Sequence, residues 1–151
     1  MTVYFDMDGT LADLYSVDKW LWKIGNEDIS PYVEAKPMFN QEELEDLLNK
    51  LKELGVNIGI ISWSSKFSSE RFLEKVKFVK SQWLAKYLPN VSFDEFIVMD
   101  YYCNKASSVE DPFGILFDDD KLIRKSWPGK SYSPDNMIEE LKNIIKEVEG
   151  K

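Results

Sequence analysis

Histidine is absent from this chain of 151 residues. That absence excludes Ser-His-Asp and Cys-His catalysis, histidine-based zinc sites and phosphohistidine chemistry. Acid–base work near neutral pH falls to carboxylates, lysines or tyrosines. Cysteine is almost absent too: Cys103 stands alone, which excludes an intrachain disulfide and a thiolate metal cluster. With no histidine to activate it, Cys103 reads as a partly buried spectator. No apolar run reaches the length of a membrane span. The stretch Met1 to Thr10 carries acids where a secretory leader carries lysines, so the expected location is cytoplasmic. Basic residues are in deficit, with 19 Lys and Arg against 27 Asp and Glu and a net charge of −8. A nucleic-acid backbone or an anionic membrane calls for a basic face, so neither is expected as the main partner.

What is present suits one globular domain over residues 1–151, since 44% of residues are apolar and 30% charged. Thr2 to Phe5 is a β-rich run that stops at the turn Asp6-Met7-Asp8-Gly9-Thr10. Ala12 to Ile24 has apolar residues at helical spacing and predicts a helix ended by Gly25 and Asn26. A Pro-containing stretch follows to Pro37. Asn40, with Glu43 three residues later, caps a helix to about Leu54, and Gly55 is its natural stop. Val56 to Ile61 reads as a strand, and Ser68 or Ser69 caps a long helix to Tyr87 with Phe72, Val76, Val79 and Trp83 on its buried stripe. Glu95 to Met99, Gly114 to Phe117 and Lys130 to Tyr132 are further strands. Ser133-Pro134 opens the last helix, to about Glu149.

Strands alternating with helices predict an α/β fold: a three-layer, Rossmann-like parallel sheet with helices on both faces. Ligands of such sheets bind outside the carboxyl ends of the strands. Asp6, Asp8, Ser62, Asp100, Lys105, Asp118 and Asp119 all fall there.

Asp6 and Asp8 are two residues apart at a strand end and able to face the same way. Their mutual repulsion is relieved by a divalent cation or by a proton held on one of them. The string Asp-x-Asp-Gly-Thr has four fixed positions, which at about 5% usage each arise by chance in roughly one such chain per thousand. Asp118 and Asp119 end another strand and supply the other half of a hard-cation site. Carboxylates without His or Cys suit Mg²⁺. Ser62 offers a hydroxyl and Lys105 a positive charge, and a phosphate held among four carboxylates needs such a charge.

These residues, in this order, resemble the haloacid dehalogenase (HAD) superfamily of phosphatases, whose strands end in D-x-D-x-T, in Ser or Thr, and in paired acids, with a loop lysine between. The resemblance runs from Val3 to Asp119. It implies that Asp6 is the nucleophile forming an aspartyl-phosphate, and that Asp8 is the general acid and then base. Asp6, the Asp8 carbonyl, Asp118 and Asp119 are implied to hold or support Mg²⁺. Gly9, Thr10, Ser62 and Lys105 are implied to bind the phosphoryl group. Asn104 to Val109, the run Gly114 to Asp119, and Lys80-x-x-Trp83 look like the 5′(3′)-deoxyribonucleotidase family, which implies that Lys80 reaches a phosphate. That family has a helical cap between the first two motifs, whereas here only a short insert, about residues 13–36, is available. Its aromatic residues Tyr15, Trp20, Trp22 and Tyr32 include rings expected to stack on a nucleobase or another flat leaving group. Trp20 and Trp22, two apart on a helix, point to different faces.

The expected function is a Mg²⁺-dependent phosphomonoesterase acting on a small phosphorylated metabolite, with a (deoxy)nucleoside 5′-monophosphate first. The alternatives are another ester (a sugar phosphate, a polynucleotide end or a phosphoprotein) and a non-catalytic HAD-like binding module.

Overall fold

The computed structural model describes residues 1–66 and 68–151. Its centre is a five-stranded sheet, all parallel, built from β1 (Thr2–Phe5), β2 (Asn57–Trp63), β3 (Glu95–Met99), β4 (Ile115–Phe117) and β5 (Ser131–Tyr132) in the order β3-β2-β1-β4-β5. Side chains of β1 alternate between two covered faces. Val3 and Phe5 join the larger core, which includes Leu44, Leu48, Trp83, Leu141 and Ile144, while Tyr4 packs on the other side with Ile61, Leu116, Ile123 and Trp127. Helices cover both faces: α3 (Gln41–Glu53), α6 (Met137–Glu149) and the end of α4 (Glu70–Tyr87) contribute to the first core, and α5 (Lys121–Ser126) to the second. The architecture is the Rossmann-like three-layer α/β arrangement that the strand–helix alternation predicts.

Caps explain several helix starts. The Asn40 side chain accepts from the Glu43 N–H at 2.9 Å, and Ser69 from the Phe72 N–H at 3.1 Å. Asp120 caps α5, a helix that sequence reading left out, by accepting from the Leu122 N–H at 2.8 Å.

The chain departs from expectation in three places. The helix expected over Ala12–Ile24 is instead a 3-10 turn, Leu14–Ser16, followed by α1 (Trp20–Gly25). Extended Val17 and left-handed Lys19, at φ 56°, break the run. The insert continues in α2 (Ser30–Glu34), which packs on α4. At the other end, Ser133-Pro134 opens only a 3-10 turn, and α6 proper starts at Met137. Cys103, expected to be partly buried, is exposed. Among the described residues no helix is long and apolar enough to cross a membrane.

Candidate active site

Register places the acids together. Phe5 pairs with Ile60 on one side and Phe117 on the other, so the residues that follow, Asp6 and Asp118, leave the sheet side by side. The Asp6 N–H continues the ladder to the Phe117 carbonyl at 2.9 Å, and Asp118 does the same to Tyr132 at 3.1 Å. Both aspartates are buried.

Lys105 reaches into this pair from the loop after β3. Its ammonium lies 3.0 Å from Asp6 Oδ1 and 2.8 Å from Asp118 Oδ2. It also lies 5.4 Å from the centroid of the Trp63 ring. Burial works to lower the Lys105 pKa, but the charges of Asp6 and Asp118 outweigh it and hold the group above the ordinary lysine value. Lys80, on α4, forms a second buried link. It donates to Ser62 Oγ at 2.6 Å, Asp8 Oδ2 at 2.9 Å and the Trp63 carbonyl at 3.0 Å. Those three bonds use all the donors of an ammonium. Burial pushes the Asp8 carboxyl above the usual range, against the opposing charge of Lys80.

The loop from Asp6 to Thr10 aims these groups. Gly9 sits at φ 81°, and a Cβ there would strike the Asp119 carboxylate and come within 2.6 Å of Tyr15 Cε2. The N–H groups of Gly9 and Thr10 bond the carbonyls of Ala12 and Met7. The Thr10 hydroxyl is 3.3 Å from both Asp6 Oδ2 and Asp119 Oδ1, and accepts from the Asp119 N–H at 3.2 Å. Gly9 and Thr10 therefore hold the acidic loops together, their donors spent within the protein.

Four carboxyl groups, those of Asp6, Asp8, Asp118 and Asp119, meet two ammonium groups, so full ionisation would leave an excess of two negative charges. Asp6, Asp118 and Asp119 each offer an oxygen, all within 4.8 Å of one another. Burial, and then the charge of Asp6, push Asp118 up to about 6 and Asp119 up to about 8. An all-carboxylate donor set, strained by its own charge, fits a hard divalent cation such as Mg²⁺. The Asp8 carboxylate stands apart from this set because it is held by Lys80.

A cavity of about 300 Å³ opens above the acids. Asp6, Asp8, Lys105, Asp118 and Asp119 line its floor. Tyr15, Trp20 and Tyr32 from the insert line it as well, with Trp63 at the end of β2 and Tyr101 after β3. Ser62 and Lys80, bonded to each other, are outside the lining. Trp20 packs edge-on against Tyr15 with centroids 4.9 Å apart. Trp22 is 68% exposed and does not line the cavity, because α1 turns its ring away from the face that carries Trp20. Sequence reasoning missed Trp63, Ser64 and Tyr101 as lining residues. The signal for the first two was their place immediately after Ser62, at a strand's carboxyl end.

Comparison of the chain with protein-family models and with curated proteins returns no match.

Proposed function

We propose that this chain is a Mg²⁺-dependent phosphomonoesterase of the HAD type. The observation that carries the reading is Lys105, buried between Asp6 and Asp118 at the carboxyl end of a parallel sheet, beside a cavity that fits a small monoester. A buried cation that touches both a strand-end carboxylate and its neighbour is suited to hold an anion against that carboxylate.

In the proposed reaction an Asp6 carboxylate oxygen attacks phosphorus in line. The Asp6 O–P bond forms as the ester P–O bond breaks, and Asp8 gives its proton to the departing oxygen. The raised pKa of Asp8 suits a group that must hold a proton before the step. Asp8 then takes a proton from water, whose oxygen attacks phosphorus, frees Asp6 and releases orthophosphate. Lys105 neutralises charge on the phosphoryl oxygens, and Thr10 keeps the acids in register. Mg²⁺, held by Asp6, Asp118 and Asp119, supplies charge neutralisation and orientation to the phosphoryl group when bound.

The cavity supports a substrate class. Five aromatic residues in the lining suit a flat leaving group, and a (deoxy)nucleoside 5′-monophosphate is the first choice. Purified protein with Mg²⁺ is expected to release orthophosphate from such nucleotides faster than from sugar phosphates or 3′-phosphorylated oligonucleotides. Trp22→Ala is expected to leave kcat and KM unchanged. Silence across the whole ester panel sinks the reading.

Stability offers a second test. Asp118 and Asp119 hold protons in the folded state, at about 6 and about 8, more tightly than the ordinary 3.8 of an unfolded aspartate. The folded state therefore binds more protons between those values, and stability without metal falls as pH rises through that window. Mg²⁺ competes with those protons. Saturating MgCl₂ is expected to raise Tm by about 5–10 °C near pH 8.5 and by clearly less near pH 5.5. An equal shift at both pH values, measured by differential scanning fluorimetry, counts against this cation site.

A further inference from the structure

Asp100 is the strand-end acid that the first cavity leaves out. It follows β3 directly, is exposed, and lines a second cavity of about 290 Å³. Among the described residues the lining is Ser65, Lys66, Ser68, Asp100, Tyr101 and Tyr102. Ser65, Lys66 and Tyr101 also line the first cavity, so the two adjoin. The second is built from the segments that follow β2 and β3, at the carboxyl ends where parallel sheets bind ligands.

Its aromatic residues are tied to the phosphate end of the site. The Trp63 ring has the Lys105 ammonium 5.4 Å from its centroid, and the Tyr101 and Tyr102 rings at 5.3 and 5.6 Å. The indole is fixed by its N–H bond to the Cys103 carbonyl at 2.9 Å. Two contacts through Trp63 therefore separate Lys105 from Tyr102, a span short enough for one nucleotide to bridge. Tyr102 is itself unusual. Its backbone is left-handed, at φ 67°, which is unfavourable for a bulky side chain, and 71% of the residue is exposed. The loop spends backbone energy on a ring that the fold leaves largely in water. A planar group lying on Tyr102 supplies the missing burial.

The neighbouring acid selects the edge of that planar group. A carboxylate offers only acceptors, so Asp100 is matched by donors. Guanine carries a ring N–H and an amino group side by side, which fit the two carboxylate oxygens together. Adenine and cytosine offer an amino group alone. Uracil and thymine offer one ring N–H between two carbonyl oxygens, and those oxygens are repelled by a carboxylate.

We propose that the second cavity is the subsite for the ring of the leaving group, with Tyr102 as its stacking surface and Asp100 as the group that selects an amino-bearing nucleobase, guanine above all. The assignment rests on the phosphatase reading above and names the base preference of that same site.

The test is kcat/KM for guanosine, adenosine, cytidine and uridine 5′-monophosphates with MgCl₂, on wild type, Asp100→Asn, Tyr102→Ala and Tyr102→Phe. Asp100 and Tyr102 are both exposed, so the changes spare the core. Wild type is expected to favour guanine over uracil by about tenfold or more, the usual worth of hydrogen bonds to a charged group. Asp100→Asn is expected to cut that ratio by about tenfold, since its amide can turn a donor toward the base. Tyr102→Ala is expected to raise KM for every nucleotide by about fivefold or more, whereas Tyr102→Phe keeps the ring and stays near wild type. An unchanged guanine-to-uracil ratio in Asp100→Asn, or an unchanged KM in Tyr102→Ala, overturns the subsite while the phosphatase reading stands. A wild type that favours uracil does the same. Protein that turns over no ester at all overturns both.

Discussion

Asp6→Asn is expected to abolish ester hydrolysis, lowering kcat by at least about 10³-fold, while the protein remains folded. Asparagine keeps the shape of the side chain but is far too weak a nucleophile to form the Asp6–phosphorus bond. The fold tolerates the change because Lys105 retains its 2.8 Å contact with Asp118, and one of the crowded negative charges is gone. The readout is single-turnover release of orthophosphate, with trapping of BeF₃⁻ as a companion. Wild type with Mg²⁺ is expected to bind the analogue at Asp6, and Asp6→Asn to show none. Full activity in Asp6→Asn ends the proposed mechanism, whatever the substrate.

Lys105→Met is expected to have the largest effect on stability. Its ammonium is almost wholly enclosed, with a side-chain exposure of 3%, and it pairs with two buried carboxylates. Removing one partner of a buried ion pair leaves uncompensated charge and costs about 3–5 kcal/mol. For a chain of this length that lowers Tm by roughly 6–20 °C. The sign with pH is definite. The loss is expected to be greatest above the Asp118 value of about 6, where that stranded carboxylate is ionised, and smaller below it, where its protonation relieves the charge. Thermal melts of the two proteins across that range measure it. A Lys105→Met protein as stable as wild type at every pH would show that the ion pairs contribute little. Loss of phosphate affinity in the same variant follows from the proposed function, whereas the stability effect follows from burial alone.

Some of the site was legible in the chain because the information is local. An apolar strand that runs straight into Asp-x-Asp-Gly-Thr announces a loop at a sheet's end, and Gly9 occupies the positive φ that its sequence position suggests. Asn40 and Ser69 cap the helices they were expected to cap, because a cap needs only a side chain and the N–H groups of the next turn. The insert was legible only in part. Its aromatic density was plain, but left-handed Lys19 and extended Val17 broke the expected helix, and a balance that close between helix and turn is settled by packing on α4.

Lys80 marks the limit most clearly. It shares a helical face with Val76 and Trp83, and a lysine on such a stripe ordinarily extends its charge to water. Here α4 brings it against Asp8 and Ser62, residues 72 and 18 positions away, and burial at 1% exposure becomes tolerable because every donor is met.

The sequence by itself determined the kind of chemistry available. With no histidine and a single cysteine, the acids at strand ends and a few lysines are the groups left for nucleophilic and acid–base work, and periodicity placed those acids at the carboxyl edge of a parallel sheet. Tertiary structure alone decided which charges meet. The order β3-β2-β1-β4-β5 sets Asp6 beside Asp118, and the loop after β3 delivers Lys105 between them. Pairing across such separations depends on strand order and helix crossing, and therefore on the packing of the whole core. The same packing buried the Ser64 hydroxyl without a partner among the described residues, which no local pattern in the chain announces.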